Sequence, residues 1–144
     1  GRVPVIRFVD RIEMPARGLP ATPFRYPRGP VFAFRLEAGG RAFHVQGSAG
    51  IDDEALAPQA GVDALFACLA TRHGTPDYLA RLGRALRPQV LVPFHHDDFF
   101  RPLAAPPRPV KGLRWKAFLE DAEALRAHGG TRLWCPTRGL AARW

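Results

Sequence analysis

Lysine, cysteine and long apolar runs are what this chain has least of. Lysine occurs only at Lys111 and Lys116, and every other one of the 21 basic residues is arginine. The formal charge is +8, a balance that raises the question of nucleic-acid binding. The arginines are spread from Arg2 to Arg143 without a cluster, and no aromatic-interleaved basic stripe or RNA-binding motif accompanies them. Scattered arginine beside abundant alanine, proline and glycine reads as codon bias in a GC-rich genome, so no nucleic-acid partner is expected.

The two cysteines, Cys68 and Cys135, have no paired spacing. That excludes a disulfide framework and a zinc ribbon. As small buried hydrophobes they suit a reducing compartment, and a cytoplasmic location is the expectation. No apolar run approaches the ~20 residues that a bilayer-spanning helix needs. No signal-peptide pattern opens the chain either, so no membrane span is expected. Internal repeats and low-complexity segments are also missing.

What is there suits a folded domain. The 144 residues, 47% hydrophobic and 24% charged, predict one domain over 1–144 with a core of its own. The first residue is Gly1 rather than Met, which points to a chain that is processed, trimmed or part of something longer.

Residues Val3 to Val9 can form a strand, and 15–30 reads as a Pro/Gly-rich loop, a solvated connector rather than a cover that brings Arg25, Tyr26 and Arg28 over a site. VFAFRLEA (31–38) and RAFHVQ (41–46) flank Gly39-Gly40, a strong hairpin signal. Gly47-Ser48-Ala49-Gly50 follows as a tight turn. Asp52, Asp53 and Glu54 then suit the first turn of a short helix. GVDALFACLA (61–70) predicts a buried strand. Thr75, Pro76 and Asp77 read as N-cap, first-turn proline and first-turn acid of a helix over 76–87. Tyr78, Leu79, Leu82, Ala85 and Leu86 form its apolar stripe. Pro88 ends that helix and a strand over 89–94 begins, which completes a β-α-β unit with parallel strands. A second amphipathic helix over 116–127 turns Phe118, Leu119, Ala122 and Leu125 inward. Gly129-Gly130 ends it, His128 complements its dipole, and 131–135 is a last short strand.

Chemistry concentrates where 89–94 runs into His95-His96-Asp97-Asp98. Open α/β folds bind ligands beyond the carboxyl ends of their strands, and imidazole with carboxylate is an ordinary ligand set for zinc and related divalent metals. Leu91, Pro93 and His95 share one strand face, while Val90, Val92, Phe94 and His96 share the other. One histidine is therefore the candidate ligand and its neighbour a supporting group. A loop cluster, with Asp97 or Asp98 bonding nearby main chain, is the competing reading. His73, in the loop after 61–70, can reach the same edge. His44, inside a strand, reads as a satisfied core histidine. Ser48 also lies beyond a strand end, yet a nucleophile elbow requires glycine two residues earlier, and Gln46 stands there.

In combination, the hairpin ending in Gly47-Ser48, the β-α-β unit and the strand ending in Pro93-Phe94-His95 resemble the C-terminal half of a metallo-β-lactamase-fold hydrolase, of the lactonase and phospholipase-like branch. The resemblance covers residues 30 to 100 best. It implies half of an αββα sandwich: a mixed sheet with a β-hairpin, one β-α-β unit and flanking helices. His95 matches the family's last metal-ligand histidine and Gly47 the glycine of its Gly-Asp turn. Ser48 stands where the family usually has a metal-bridging aspartate, and a neutral hydroxyl is a poor substitute. The family's His-x-His-x-Asp-His motif belongs to the N-terminal half and is not in this chain.

The resemblance implies part of a metal-dependent hydrolase acting on a small-molecule ester, lactone, amide or phosphodiester. Zn2+ or another divalent metal would sit on His95. Asp97 and Asp98 would be catalytic or orienting groups, with Ser48, His73 and His96 toward substrate or behind the ligands. A lone half exposes an apolar sheet face, so a missing N-terminal half or a partner chain is expected, and this chain alone should bind metal weakly or not at all. The alternative is a non-catalytic interaction domain that has lost its metal centre. A serine hydrolase built on Ser48, His95 and an aspartate is the third reading.

Overall fold

A computed structural model describes residues 6–7, 31–98, 101–102 and 104–135. The expected loop over 15–30, and all of the expected Val3–Val9 strand except 6–7, lie outside these residues. The elements are β1 (Ile6–Arg7), β2 (Phe32–Ala38), β3 (Arg41–Gln46), α1 (Asp53–Leu56), β4 (Ala64–Cys68), α2 (Tyr78–Leu86), β5 (Val90–Phe94), α3 (Trp115–Gly129) and β6 (Arg132–Leu133). One six-stranded mixed sheet takes them in chain order. Strands β1 to β3 are antiparallel, and β3 to β6 are parallel.

The hairpin forms where the glycine pair permits it. Gly39 and Gly40 both have positive φ, at 56° and 75°, which a two-residue hairpin loop demands and glycine supplies without strain. Asp52 caps α1, its carboxylate accepting from the N–H groups of Glu54 and Ala55 at 3.1 Å. This satisfies two of the donors that a helix start leaves unpaired.

The parallel half is more extensive than the single β-α-β unit read from the sequence. Each of the connections β3–α1–β4, β4–α2–β5 and β5–α3–β6 joins parallel neighbours. All three helices lie on one side. Leu56, Leu79, Leu82, Leu86, Phe118 and Ala122 pack with Leu65, Ala67 and Leu91 in one buried cluster. Burying each of these large side chains contributes about 1.5–3 kcal/mol, which fixes the layer.

Several local readings need correction. Helix α2 starts at Tyr78, two residues later than expected, and Asp77 at its cap position has a left-handed backbone and makes no side-chain cap bond. Thr75 is not the N-cap: its hydroxyl donates to Ala49 O at 2.6 Å and ties the loop to the turn after β3. Within α3, Phe118 and Ala122 are buried and Leu125 is partly so, but Leu119 is 42% exposed. Arg72 lies against this helix as well, its guanidinium 5.9 Å over the Phe118 ring and paired with Asp121.

The opposite sheet face carries no helix among the described residues. Ala64, Val90 and Val92 pack there with Phe43, Phe66 and Trp134. Phe34 and Leu36, on the same face by register, are 44% and 49% exposed.

Candidate functional site

The carboxyl ends of β3, β4 and β5 form one edge of the parallel half. Pairing of Gln46 with Ala67 and of Ala67 with Pro93 brings the residues just beyond these ends into line. Neighbouring strands are about 4.8 Å apart, so Ser48 and His95, separated by β4, begin roughly 10 Å apart at the main chain.

His95 does not continue β5. Its φ of 53° is left-handed, a conformation that costs a side-chain-bearing residue about 1–2 kcal/mol. The turn takes its ring off the strand alternation and against Cys68, the last residue of β4, with Nδ1 3.4 Å from Sγ. His95 is exposed and Cys68 is buried. Burial pushes the Cys68 thiol pKa up, because a thiolate there loses its hydration.

His96 goes elsewhere. Its ring is 5.8 Å from that of Trp115 and tilted by 48°, and its Nδ1 is buried without a hydrogen-bond partner among the described residues. The main chain after it is pinned rather than free. Val110 N–H donates to His96 O at 2.9 Å and Asp98 N–H to Arg108 O at 2.7 Å, with a bridge between Asp97 and Pro109. The carboxyl of Asp97 is exposed and that of Asp98 is half-buried.

Ser48 is committed to its own turn: its Oγ accepts from Gly50 N–H at 3.2 Å. Gln46 Nε2 donates to the carbonyls of Ser48 and Gly50. Tyr78 links this turn to the next strand. Its hydroxyl donates to Ser48 O at 3.4 Å and lies against the Cys68 main chain. Burial raises its pKa strongly, so it stays a neutral donor. Ser48, Tyr78, Cys68 and His95 thus follow one another along the edge.

The remaining histidines have other surroundings. His73 lines a groove of about 760 Å3 between α2 and α3, whose lining includes neither Ser48 nor His95. His44 is fully buried, with Nδ1 3.2 Å from Gln59 Oε1 and Nε2 3.1 Å from Gln46 Oε1, as a satisfied core histidine should be. His128 Nδ1 reaches Ala124 O at 2.7 Å in the last turn of α3, as expected of a residue complementing the dipole.

Among the described residues no group of three or more histidine, cysteine, aspartate or glutamate side chains could hold a metal ion. The edge offers His95 and Cys68 together, with Asp97 and Asp98 next along the chain. Cys68 was read from the sequence as inert packing. Its place at the last position of a strand, beside the strand that delivers His95, is the signal that would have found it. No protein-family model and no curated protein matches the chain.

Proposed function

We propose that this chain is the C-terminal portion of a metal-dependent hydrolase with a metallo-β-lactamase-type catalytic domain. The observation that carries the reading is His95, turned out of β5 in a left-handed conformation at the carboxyl edge and left exposed there. Residues held in such conformations concentrate where a side chain must be aimed. The exposure of Phe34 and Leu36 at the hairpin part of the opposite sheet face also supports it, because a second sheet from a missing N-terminal half or a partner chain would bury them.

In this reading His95 holds a divalent metal, zinc or a relative. When bound, the metal lowers the pKa of a water and polarises the substrate. The described residues suit part of a coordination shell and not a complete one, so the other ligands come from elsewhere. Asp97 and Asp98 follow His95 and would orient substrate or an incoming ligand. His96 braces the segment through Trp115. Ser48 shapes the floor through its turn, and His73 lies beyond β4, in the loop that begins at that edge. The substrate is a small ester, lactone, amide or phosphodiester. Two unpaired cysteines favour a reducing compartment, the cytoplasm. No helix among the described residues is long and apolar enough to cross a membrane.

The test is the reading frame before Gly1. A His-x-His-x-Asp-His segment there, with metal-dependent hydrolysis by the longer chain that is lost on His95→Ala, supports the reading. A frame without it sinks the reading. The second reading, a non-catalytic interaction domain of the same fold, is favoured by Ser48, whose hydroxyl is spent on Gly50 where a bridging carboxylate is usual. Stable association through the apolar face, with no metal retained by the longer chain, would select it.

A further inference from the structure

We propose that the groove between α2 and α3 binds a small aliphatic carboxylic acid, its carboxylate held by Arg84 and Arg87 and its chain lying along Ala80, Ala124 and Leu125. This site is separate from His95. Helix α2 runs back from the end of β4 to the start of β5, so its arginine end lies at the amino edge of the parallel strands, opposite the edge that carries His95.

The groove has the size and walls of a small-molecule site. It encloses about 760 Å3, within the roughly 300–1,000 Å3 usual for such sites. Leu79, Ala80, Gly83, Ala124 and Leu125 are the apolar part of its lining. A Cβ on Gly83 would collide with the Leu125 side chain, so the two helices meet there against bare backbone. Glycine is otherwise unfavourable inside a helix, and here it sets the close approach that forms the groove.

The charge of the lining is complementary to an anion. Arg72 and Asp121 neutralise each other, and Asp77 lies in the field of Arg81. Arg84 and Arg87 make no ion pair among the described residues. Both helices end near them, and each end contributes about half a negative charge. Two full guanidinium charges leave a positive excess. The planar guanidinium fork matches a carboxylate, which can take two parallel hydrogen bonds from it.

The backbone at Arg87 is the independent sign of use. Its φ of 47° is left-handed, at a C-cap where glycine is usual. Glycine there would be unstrained and would present no side chain to the groove. Asp77, at the other end of α2 and also in the lining, has φ of 51°. Residues held in such conformations cluster where ligands are clamped.

The experiment titrates the 144-residue chain with octanoate and follows its amide resonances. Octanoate should shift Ala80, Gly83, Ala124 and Leu125 saturably. 1-Octanol and inorganic phosphate each offer half of the recognised chemistry and should bind roughly five-fold more weakly or worse, the loss expected when one hydrogen bond to a charged group is removed. Arg84→Gln and Arg87→Gly should each weaken octanoate by a similar factor. Arg87→Gly relieves strain, so unfolding does not account for its loss of binding. Ala124→Trp, at an exposed position, should fill the groove and remove octanoate binding. Shifts confined to Phe34 and Leu36 would reveal adsorption to the other sheet face and overturn the proposal. So would equal affinity for octanoate and 1-octanol, or arginine variants that bind as the parent does. Phosphate binding as tight as octanoate would overturn the aliphatic part of the ligand. None of these outcomes bears on His95, whose role is decided by the frame before Gly1 and by metal-dependent hydrolysis.

Discussion

His95 and His96 are adjacent in the chain and have separate partners: His95 Nδ1 lies 3.4 Å from Cys68 Sγ, and the His96 ring packs 5.8 Å from Trp115. One faces the strand edge and solvent, and the other braces the loop against α3. Their substitution should therefore separate binding from stability.

His96 makes a useful ring contact but leaves Nδ1 buried and without a hydrogen-bond partner among the described residues. An aromatic pair is worth about 0.5–1.5 kcal/mol beyond burial, and an unsatisfied buried polar atom costs about 1–3 kcal/mol. His96→Phe keeps the first and removes the second, so it should stabilise the fold by about 1 kcal/mol. His96→Leu, without the ring pair, should gain less. Urea unfolding midpoints rank the two. A lower midpoint for His96→Phe than for the parent would mean that Nδ1 has a partner that matters.

Arg87 and His95 both carry left-handed backbones, with φ of 47° and 53°. Arg87 is the C-cap of α2, its N–H donating to Gly83 O, a position where glycine is usual. Arg87→Gly should stabilise by about 1 kcal/mol. His95→Gly relieves the same strain but gives up the contact with Cys68, so its gain should be smaller, and zinc-induced changes at the edge should disappear. Thermal melts and a zinc titration of both variants check this. Equal gains would show that the Cys68 contact contributes nothing to stability.

Gly47 has a close neighbour that cannot step aside. A Cβ there would lie 2.8 Å from the carbonyl oxygen of Phe32, a main-chain atom of the hairpin. Gly47→Ala should destabilise by about 1–3 kcal/mol through displaced backbone. Gly74→Ala, which meets nothing within 4 Å, should fall within about 0.5 kcal/mol of the parent. Comparable losses at both sites would refute the close approach as the cause.

His44 sets a pH dependence. Its burial lowers the folded-state pKa from the usual 6.5, outweighing the side-chain oxygens of Gln46 and Gln59, which accept from the ring and favour its charged form. The unfolded chain takes up a proton near pH 6.5 and the folded chain resists until lower pH. Stability should therefore be flat above about pH 7.5 and fall as pH drops through 6.5, levelling once the folded pKa is passed. Asp53 and Asp63, held below the usual carboxylate range chiefly by the bonds from Arg81 and the Ala42 N–H, act separately, below about pH 4. Denaturant midpoints between pH 5 and 8 for the parent and His44→Gln isolate the effect. An unchanged slope in the variant would assign the dependence elsewhere.

Local order was legible in the residues wherever one interaction decides it. Gly39-Gly40 between alternating strands specified the hairpin, because only that pair accepts two positive φ angles without strain. Asp52 followed by Asp53 and Glu54 specified the start of α1, since the capping bonds reach only two and three residues onward. The apolar run over 90–93 announced a strand buried on both faces, with β4 on one side and β6 on the other. Parity assigned its two faces as far as Phe94.

Contacts between elements were settled by tertiary structure. Cys68 and His95 are 27 residues apart, and nothing in either segment announces that the register of β4 and β5 will pair Cys68 with Phe94. Parity failed at His95 because a left-handed turn there is held by the surrounding fold rather than by any glycine. Thr75 looked like a cap and instead tethers to Ala49 O, a partner 26 residues away that exists only once β3 and β4 are side by side. Local hydrogen bonds and φ preferences act over a few residues and are written in the sequence. Which side chains meet across a sheet edge depends on strand register and helix placement, and those follow from burying the whole core at once.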